Sequence, residues 1–223
     1  VYYKFENNVN DEQGNYKGQT YGAVFVSGID GQALKFDGVD DYVRFFDFNV
    51  LDNADKLTIS SWFKRNANSL GKRQIILGKG WGGRGSLYWM ELDTNNKPLF
   101  VLENSKGETR WLVANDFIIS DSEWHLFTVV LENQIMKIYI DGRLSSNTLN
   151  LNDVKIGTST YLFSIGQLGS LVDFRYNGLI DELRIYNKAL SSEEIRDLYN
   201  QYGPKFVYYK FENNVNDEQG NYK

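Results

Sequence analysis

Asp181 is the residue of this sequence best placed for ion chemistry. It alternates with Leu179, Leu183 and Ile185 in a stretch that predicts a β-strand, so its carboxylate is expected on the face of the apolar side chains. A buried charge is costly unless it is paired or bound to a cation, and oxygen ligands without sulfur suit calcium. Either Asp181 binds such a cation, or it caps a backbone turn or pairs with an arginine and no ion is involved.

Two other places have residue types that could catalyse a reaction. Glu91 and Asp93 stand two positions apart, so on a strand they would share a face, as the paired carboxylates of glycoside hydrolysis do. The turn residues Thr94–Lys97 follow at once, which favours a plain strand end. His125 is the single histidine, and no sequence context supplies the exposed hydroxyl that a Ser/His pair needs. The chain is therefore predicted to be no enzyme.

A glycine-rich stretch from Gly80 to Gly85 is the strongest candidate for a ligand loop. No helix follows it, so it is not a phosphate-binding turn, and a hairpin tip is expected. Because the chain is rich in tyrosine and tryptophan, the favoured interpretation is that the aromatics in and near this loop pack in the core or at its rim. Aromatic faces also bind sugar rings and cations, so the alternative is a glycan-binding surface. The residues of that surface would be Trp81, Arg84, Trp89 and Trp111.

The elements that must position these residues are short strands. The stretches Leu57–Arg65, Trp124–Leu131 and Ile135–Ile140 have the clearest patterns, and Asp37-Gly38 predicts a hairpin between its flanking strands. A capping box of Ser191 and Glu194 starts one helix, which is too short to be stable alone and is expected to dock across an end or edge. The fold class is all-β, a two-sheet antiparallel sandwich with one short C-terminal helix.

Composition excludes several classes of function. The net charge is −5, whereas nucleic-acid binding needs a basic face, so no nucleic-acid partner is expected. No apolar run is long enough for a membrane span. The absence of cysteine removes disulfides, thiolate metal sites and cysteine nucleophiles.

The chain carries one segment twice. The sequence VYYKFENNVNDEQGNYK occupies residues 1–17 and recurs without change as residues 207–223. Its start alternates like a half-buried strand, and a polar turn follows. We predict a sandwich over residues 1–202, a linker over 203–206, and an assembly strand in the second copy. The apolar residues of that strand are Val207, Tyr209, Phe211 and Val215.

Four blocks of sequence resemble the laminin G-like (concanavalin A-like) jelly-roll domains of prokaryotic surface proteins. They are ALKFDGVDDYVRF, LTISSWFK, EWHLFTVVLENQIMKIYIDGRL and GLIDELRIYNKALSSEEIRDLYN, in this order. The resemblance implies a two-sheet antiparallel jelly-roll sandwich whose first and last strands lie side by side. It also implies an extracellular, cell-surface module that binds or spaces, often in tandem. For His125 it implies a structural place in a core strand.

The resemblance further implies a structural calcium ion. The positions that match its ligands are Glu6, Asp11 and Asp181. The function expected is a structural or adhesive repeat of a surface protein or filament, whose partners are copies of the same chain or repeat joined head to tail. The second copy either starts the next domain or completes a neighbouring unit by adding a strand, unless it is a deliberately overlapped repeat. The alternative function is a carbohydrate-binding module.

Overall fold

The computed structural model of this protein describes residues 1–80, 87–103, 107–151, 156–169 and 171–204. These residues form fifteen strands and one α-helix, α1, over Ser192–Tyr202. The strands are β1 Tyr2–Tyr3, β2 Gly18–Tyr21, β3 Val24–Ser27, β4 Gln32–Asp37, β5 Tyr42–Phe45, β6 Leu57–Arg65, β7 Gln74–Lys79, β8 Tyr88–Leu92, β9 Pro98–Glu103, β10 Thr109–Val113, β11 Trp124–Glu132, β12 Ile135–Ile140, β13 Arg143–Asn150, β14 Phe163–Ile165 and β15 Asn177–Tyr186.

The strands build two antiparallel sheets, which confirms the predicted jelly-roll sandwich. The eight-stranded sheet runs β13-β12-β11-β6-β15-β4-β3, and β1 also pairs with β15. The seven-stranded sheet runs β10-β9-β8-β7-β14-β5-β2. Alternating apolar residues of both sheets meet in one core, because a sheet must bury its hydrophobic face against another layer.

The strongest strand predictions are confirmed. β6 covers Leu57–Arg65 and lies between β11 and β15, as expected of a central strand. β11 and β12 form a hairpin through Asn133 and Gln134, both in the left-handed region. The hydrophobic pattern of the sequence did not predict strands β2, β3 and β13. These strands are short or largely polar because each lies at the edge of its sheet, where little apolar surface is needed.

The predicted hairpin around Asp37-Gly38 is wrong. β4 belongs to the eight-stranded sheet and β5 to the seven-stranded one, so the turn carries the chain from one sheet to the other. Carboxylates stabilise this turn: Asp37 accepts hydrogen bonds from the Val39 and Asp40 amides at 2.7 and 3.2 Å, and Asp41 accepts one from the Asp37 amide at 2.9 Å.

Helix α1 begins at the predicted capping box but docks elsewhere than expected. Ser191 caps the first turn, and Glu194 bonds back to the Ser191 amide. The helix lies on the outer face of the eight-stranded sheet, where the Tyr199 ring stacks 5.6 Å from Trp62 and Ile195 is fully buried. It is thus the cover of one sheet. None of the helices in the described part of the chain is long and apolar enough to cross a membrane.

Candidate functional site

The outer face of the seven-stranded sheet carries two tryptophans in one cross-strand row. Trp111 of β10 and Trp89 of β8 both pair with Val101 of the strand between them. Residues directly opposite one another share a face, so the two indoles lie on the same surface, about 10 Å apart at the backbone. Trp111 is 62% exposed and Trp89 is half-buried. We call Trp89, Val101 and Trp111 the tryptophan face.

Glu91 fixes the orientation of Trp89. The indole Nε1 donates to Glu91 Oε2 at 2.7 Å, and Arg73 forms a two-pronged ion pair with the same carboxylate at 2.9 and 2.7 Å. Asp93 instead accepts hydrogen bonds from the Asn95 and Lys97 amides, both at 2.8 Å. Glu91 thus holds an aromatic ring in place while Asp93 closes a turn. This arrangement matches the plain strand-end interpretation.

Two of the four residues predicted to bind glycans belong to this face. Trp89 and Trp111 share it, as described. Trp81 and Arg84 lie outside the described residues, between Gly80 and Leu87.

The start of the chain completes β15. β4 pairs with β15 from Asn177 to Ile180, and β1 then takes the same side of β15 opposite Leu183 and Arg184. Val1 exchanges two backbone hydrogen bonds with Ile185, both 2.9 Å long. We call the β15 stretch from Leu183 to Ile185, together with residues 1–17 that cover it, the seam.

Aromatic side chains anchor residues 1–17 in the core. Tyr3 and Phe5 are at most 1% exposed and stack with their centroids 6.0 Å apart, and Tyr3 also packs 5.0 Å from Phe45. The predicted strand is nevertheless only two residues long, because Phe5 and Asn7 have positive φ and turn the chain away. Alternation still buries Tyr3 and Phe5 as predicted.

At the seam, Tyr2 contacts the buried ion pair of Glu182 and Arg184. The Tyr2 hydroxyl donates to Glu182 Oε2 at 2.5 Å, and Arg184 Nη2 lies 2.6 Å from the same oxygen. Arg184 also lies over the Tyr2 ring at 4.3 Å and donates to Gln201 of α1 at 3.4 Å. Burial raises the pKa of Glu182, which the hydrogen bond from Tyr2 and the charge of Arg184 oppose. The sequence gave no sign of this pair.

Asp181 is buried, but not on the predicted face. It pairs with Trp62, which stacks on the helix outside the sandwich, whereas its neighbour Ile180 points into the core. The apolar pattern changes phase at a bulge after Asp181, where Glu182 has a φ of 51°. Leu179 accordingly lies with Asp181 on the outer side of the sheet, and the predicted alternation is wrong.

The turn Gly28–Gly31 lies between Asp181 and Glu6. Asp181 accepts hydrogen bonds from the Ile29 and Asp30 amides at 3.0 and 3.4 Å. Glu6 accepts one from the Gln32 amide at 2.9 Å. A Cβ on Gly28 would come within 2.3 Å of the Asp181 carboxylate, and one on Gly31 within 1.9 Å of Glu6. Only glycines allow both carboxylates to approach this turn so closely.

Of the three predicted calcium ligands, Glu6 and Asp181 flank the turn Gly28–Gly31, whereas Asp11 lies in a different turn. Asp11 is buried in its own turn, where it accepts hydrogen bonds from the Tyr16 and Gln13 amides at 2.6 and 3.3 Å. Among the described residues, the group of three acids whose oxygens lie within 4.8 Å of one another is Asp37, Asp40 and Asp41. Glu6, Asp11 and Asp181 do not form such a group, and calcium binding by them stays a prediction. Burial raises the pKa of Asp181 to about 7, although the Asp30, Glu182 and Ile29 amides oppose this.

His125 lies between two carboxylates. Its Nδ1 is 2.8 Å from Asp141 and its Nε2 is 2.8 Å from Asp121. Burial lowers the pKa of His125, but the hydrogen bonds and charges of Asp141 and Asp121 outweigh burial and raise it to about 9. Because Asp141 also accepts from the Leu126 amide at 2.9 Å, the cluster fixes the turn after β12. This geometry fits the predicted structural histidine.

These observations define a class of protein, an all-β jelly-roll domain with a helix packed on the outer face of one sheet and two tryptophans on the outer face of the other. Comparison with known proteins gives the family. The family model described as the concanavalin A-like lectin/glucanases superfamily, of laminin G type, matches residues 37–196, and the chain belongs to this family.

Individual relatives are more distant. Adhesion G-protein coupled receptor V1 from Danio rerio is 25% identical over 152 residues, which are 65% of this chain and 2% of the receptor. Domain 4 of AbnA, a GH43 extracellular arabinanase from Geobacillus stearothermophilus solved with arabinotriose, is 21% identical with a TM-score of 0.71, covering 89% of this chain and 97% of that domain. The binding domain of Paraclostridial Mosquitocidal Protein 1 is 17% identical with a TM-score of 0.71, covering 89% of this chain and 50% of its own. At these identities the solved structures show the fold alone.

Proposed function

We propose that this chain is a non-catalytic adhesive repeat of an extracellular protein, joined to its neighbours by residues 207–223. The observation that carries the proposal is the seam. Residues 1–17 fill it with buried aromatics and backbone hydrogen bonds, and residues 207–223 have the same sequence. Whatever interactions hold the first copy are therefore available to the second copy in another unit.

The position of the helix end supports this connection. Arg184 contacts Tyr2 at the start of the chain and Gln201 in the last turn of α1. The chain therefore leaves the helix close to the seam, and Gly203 and Pro204 follow directly. Pro204 fixes its own φ at this exit, and the second copy begins three residues later in the sequence.

The proposed contact joins two different surfaces: residues 207–223 of one unit and the seam of the next. Such head-to-tail contacts form an open filament unless the rotation between units closes a ring. The similarity to an adhesion receptor, to a domain of an extracellular arabinanase and to the binding domain of a mosquitocidal protein supports a binding role at the cell surface. The engagement of Glu91 with Arg73 and Trp89 supports binding over catalysis.

Size measurements on refolded protein test the proposal. Because residues 1–17 already occupy the seam, exchange requires their displacement, so the chain is unfolded and refolded at high concentration before light scattering. We expect head-to-tail oligomers of the full chain and a folded monomer after deletion of residues 207–223. Replacing Tyr209 and Phe211 by aspartate keeps the chain length and should also give monomers. Oligomers that persist in both variants would contradict the proposal.

A second candidate function, glycan binding, is supported by the tryptophan face. Trp111 is 62% exposed, and Trp89 is held in place by Glu91, so the face presents pre-oriented aromatic surface. Domain 4 of AbnA was solved with arabinotriose, which makes arabinan oligosaccharides suitable first probes. Trp111→Ala should abolish quenching of tryptophan fluorescence by a bound glycan; quenching that is unchanged in this variant would place the ligand elsewhere.

A further inference from the structure

Strand β2 lies at one end of the seven-stranded sheet, directly after residues 1–17. Among the described strands it pairs with β5 alone, and none of its four residues is fully buried. Gly18 has no side chain to bury, and a Cβ there would come within 2.7 Å of the Phe45 ring. Burial of apolar surface therefore contributes little to holding β2, and such a strand is among the first parts of a sheet to open.

Tyr21 and Tyr42 face one another across this strand pair. They are directly opposite in the register, and their rings stack with centroids 4.5 Å apart and an angle of 15° between the planes. Because the neighbouring Val43 is buried in the core, both tyrosine rings lie on the outer face of the sheet. Each tyrosine is half-buried. Two phenol rings are thus in contact at a place that solvent and small reagents can reach.

Two arginines hold this pair of rings in place. The Arg44 guanidinium lies over both rings, 5.6 Å from the centroid of Tyr21 and 4.9 Å from that of Tyr42. Arg175 lies 5.9 Å from the Tyr42 centroid. The Tyr21 hydroxyl also donates to Gln19 Oε1 at 3.0 Å. A cation over an aromatic face is attracted to it, so these contacts limit how far the two rings can move apart.

Two tyrosines in such contact can be joined by oxidation. Each phenol loses one electron and one proton, and the two radicals form a carbon–carbon bond between the ring positions next to the hydroxyls. The hydrogens on those carbons then move to the oxygens, which restores both phenols, while hydrogen peroxide takes up the electrons and protons and becomes two water molecules. Rings already in contact need no diffusional encounter for this step. The chain has no cysteine, so a disulfide cannot provide a cross-link here.

We infer that Tyr21 and Tyr42 are the site of a dityrosine cross-link, which forms when the protein meets hydrogen peroxide and a haem peroxidase as one-electron oxidant. The bond fastens β2 to β5 and closes a covalent loop of the residues between them, which restricts the unfolded chain. Because residues 1–17 lead directly into β2, the bond also keeps the sheet from opening further when that segment leaves the seam. The bond itself requires no contact between units, so it stands apart from the proposed function.

Treatment of the full chain with peroxide and a haem peroxidase, at low protein concentration to limit coupling between chains, tests this inference. Trypsin should release Tyr21 in peptide 18–35 and Tyr42 in peptide 36–44, and neither peptide contains another tyrosine. We expect mass spectrometry to find these two peptides joined, with a mass two hydrogens below their sum, together with dityrosine fluorescence. The oxidised chain should also unfold at a higher urea concentration than the Tyr21→Phe variant oxidised in the same way.

Tyr21→Phe and Tyr42→Phe keep the stacked rings but remove a reactive phenol, so each should abolish the joined peptide while the melting temperature before oxidation stays within a few degrees. Tyr186→Phe, at a half-buried tyrosine of the other sheet, is the matched control and should leave the yield unchanged. The inference is overturned if the joined peptide does not form, or if its yield is the same in concentrated urea, where the fold no longer selects the pair. It is also overturned if the oxidised chain unfolds at a lower urea concentration than the oxidised Tyr21→Phe variant. Each of these results leaves the head-to-tail proposal untouched.

Discussion

The seam and the tryptophan face both consist of aromatic side chains on strands, yet they differ in exposure. Tyr3 and Phe5 at the seam are almost fully buried, whereas Trp111 on the tryptophan face is 62% exposed. Buried aromatics stabilise the fold through the area they remove from water, and exposed ones retain that area for a ligand. The same residue types therefore contribute to stability in one region and to binding in the other.

The largest expected effect is the loss of an aromatic ring at the seam. In a chain without residues 207–223, Phe5→Ala should lower the free energy of unfolding by about 3–5 kcal/mol, because it leaves a cavity against Tyr3. Urea unfolding followed by circular dichroism measures this. A loss below about 1 kcal/mol would show that residues 1–17 are dispensable, and the contrast between the two regions would fail.

His125 lies outside both regions, so the pH dependence of stability that it causes should be the same in seam and face variants. Its folded-state pKa of about 9 exceeds the unfolded value near 6.5, so its stabilisation is complete below about pH 6.5 and is lost as the pH rises through 9. The change amounts to about 3 kcal/mol at most. Urea titrations across this range should show it, and His125→Asn should remove it. Seam and face variants should retain it, since distant sites are additive.

Calcium should act at Asp181, just before the seam on β15, and not at the tryptophan face. A cation beside Asp181 would relieve the cost of burying its charge, so calcium should raise the melting temperature by several degrees at saturating concentration. Asp181→Asn should abolish this response, and Trp111→Ala should not. Equal melting temperatures in calcium and in a chelator would exclude a role for calcium.

Replacing Tyr2 tests a polar contact of the seam without creating a cavity. Tyr2→Phe keeps the ring under Arg184 but removes the hydrogen bond to Glu182. We expect a loss of about 1.5 kcal/mol, the lower end for a hydrogen bond to a charged group, because Tyr2 is only partly buried. Urea unfolding without residues 207–223 measures it. An unchanged free energy of unfolding would mean that the hydrogen bond from Tyr2 to the Glu182–Arg184 pair does not stabilise residues 1–17 at the seam.

The smallest effect on stability is expected at the tryptophan face. Trp111→Ala should change the free energy of unfolding by less than about 0.5 kcal/mol, as is usual for exposed positions. A destabilisation comparable to that of Phe5→Ala would show that Trp111 is part of the packing, and the two regions would no longer differ.

The sequence predicted the sandwich because its signals are local and repeated. Alternation marked β6, β11 and β12, and a capping box marked the start of α1. The strand and helix predictions needed only neighbours within a few residues. The recurrence of residues 1–17, a predicted strand followed by a polar turn, was found by comparing the two ends of the sequence directly.

Other features depend on contacts that no local pattern encodes. The bulge at Asp181 requires a positive φ at Glu182, a residue that gives no turn signal, so the predicted face was wrong. No local pattern predicts that β14 pairs with both β5 and β7, which brings Phe45 and Lys79 to either side of Phe163. The buried pair of Glu182 and Arg184 follows from the same bulge.

Deletion of residues 1–17 tests the central claim most directly, because it empties the seam and leaves residues 207–223 as the only segment that fits. We predict that this chain folds, melts within a few degrees of the full chain, and forms head-to-tail oligomers by light scattering. Adding Phe211→Asp should leave it unfolded, since the replacement for Phe5 is then lost. An unfolded chain after the deletion alone would contradict completion of a seam by the second copy, and a folded monomer would contradict the joining of neighbouring units.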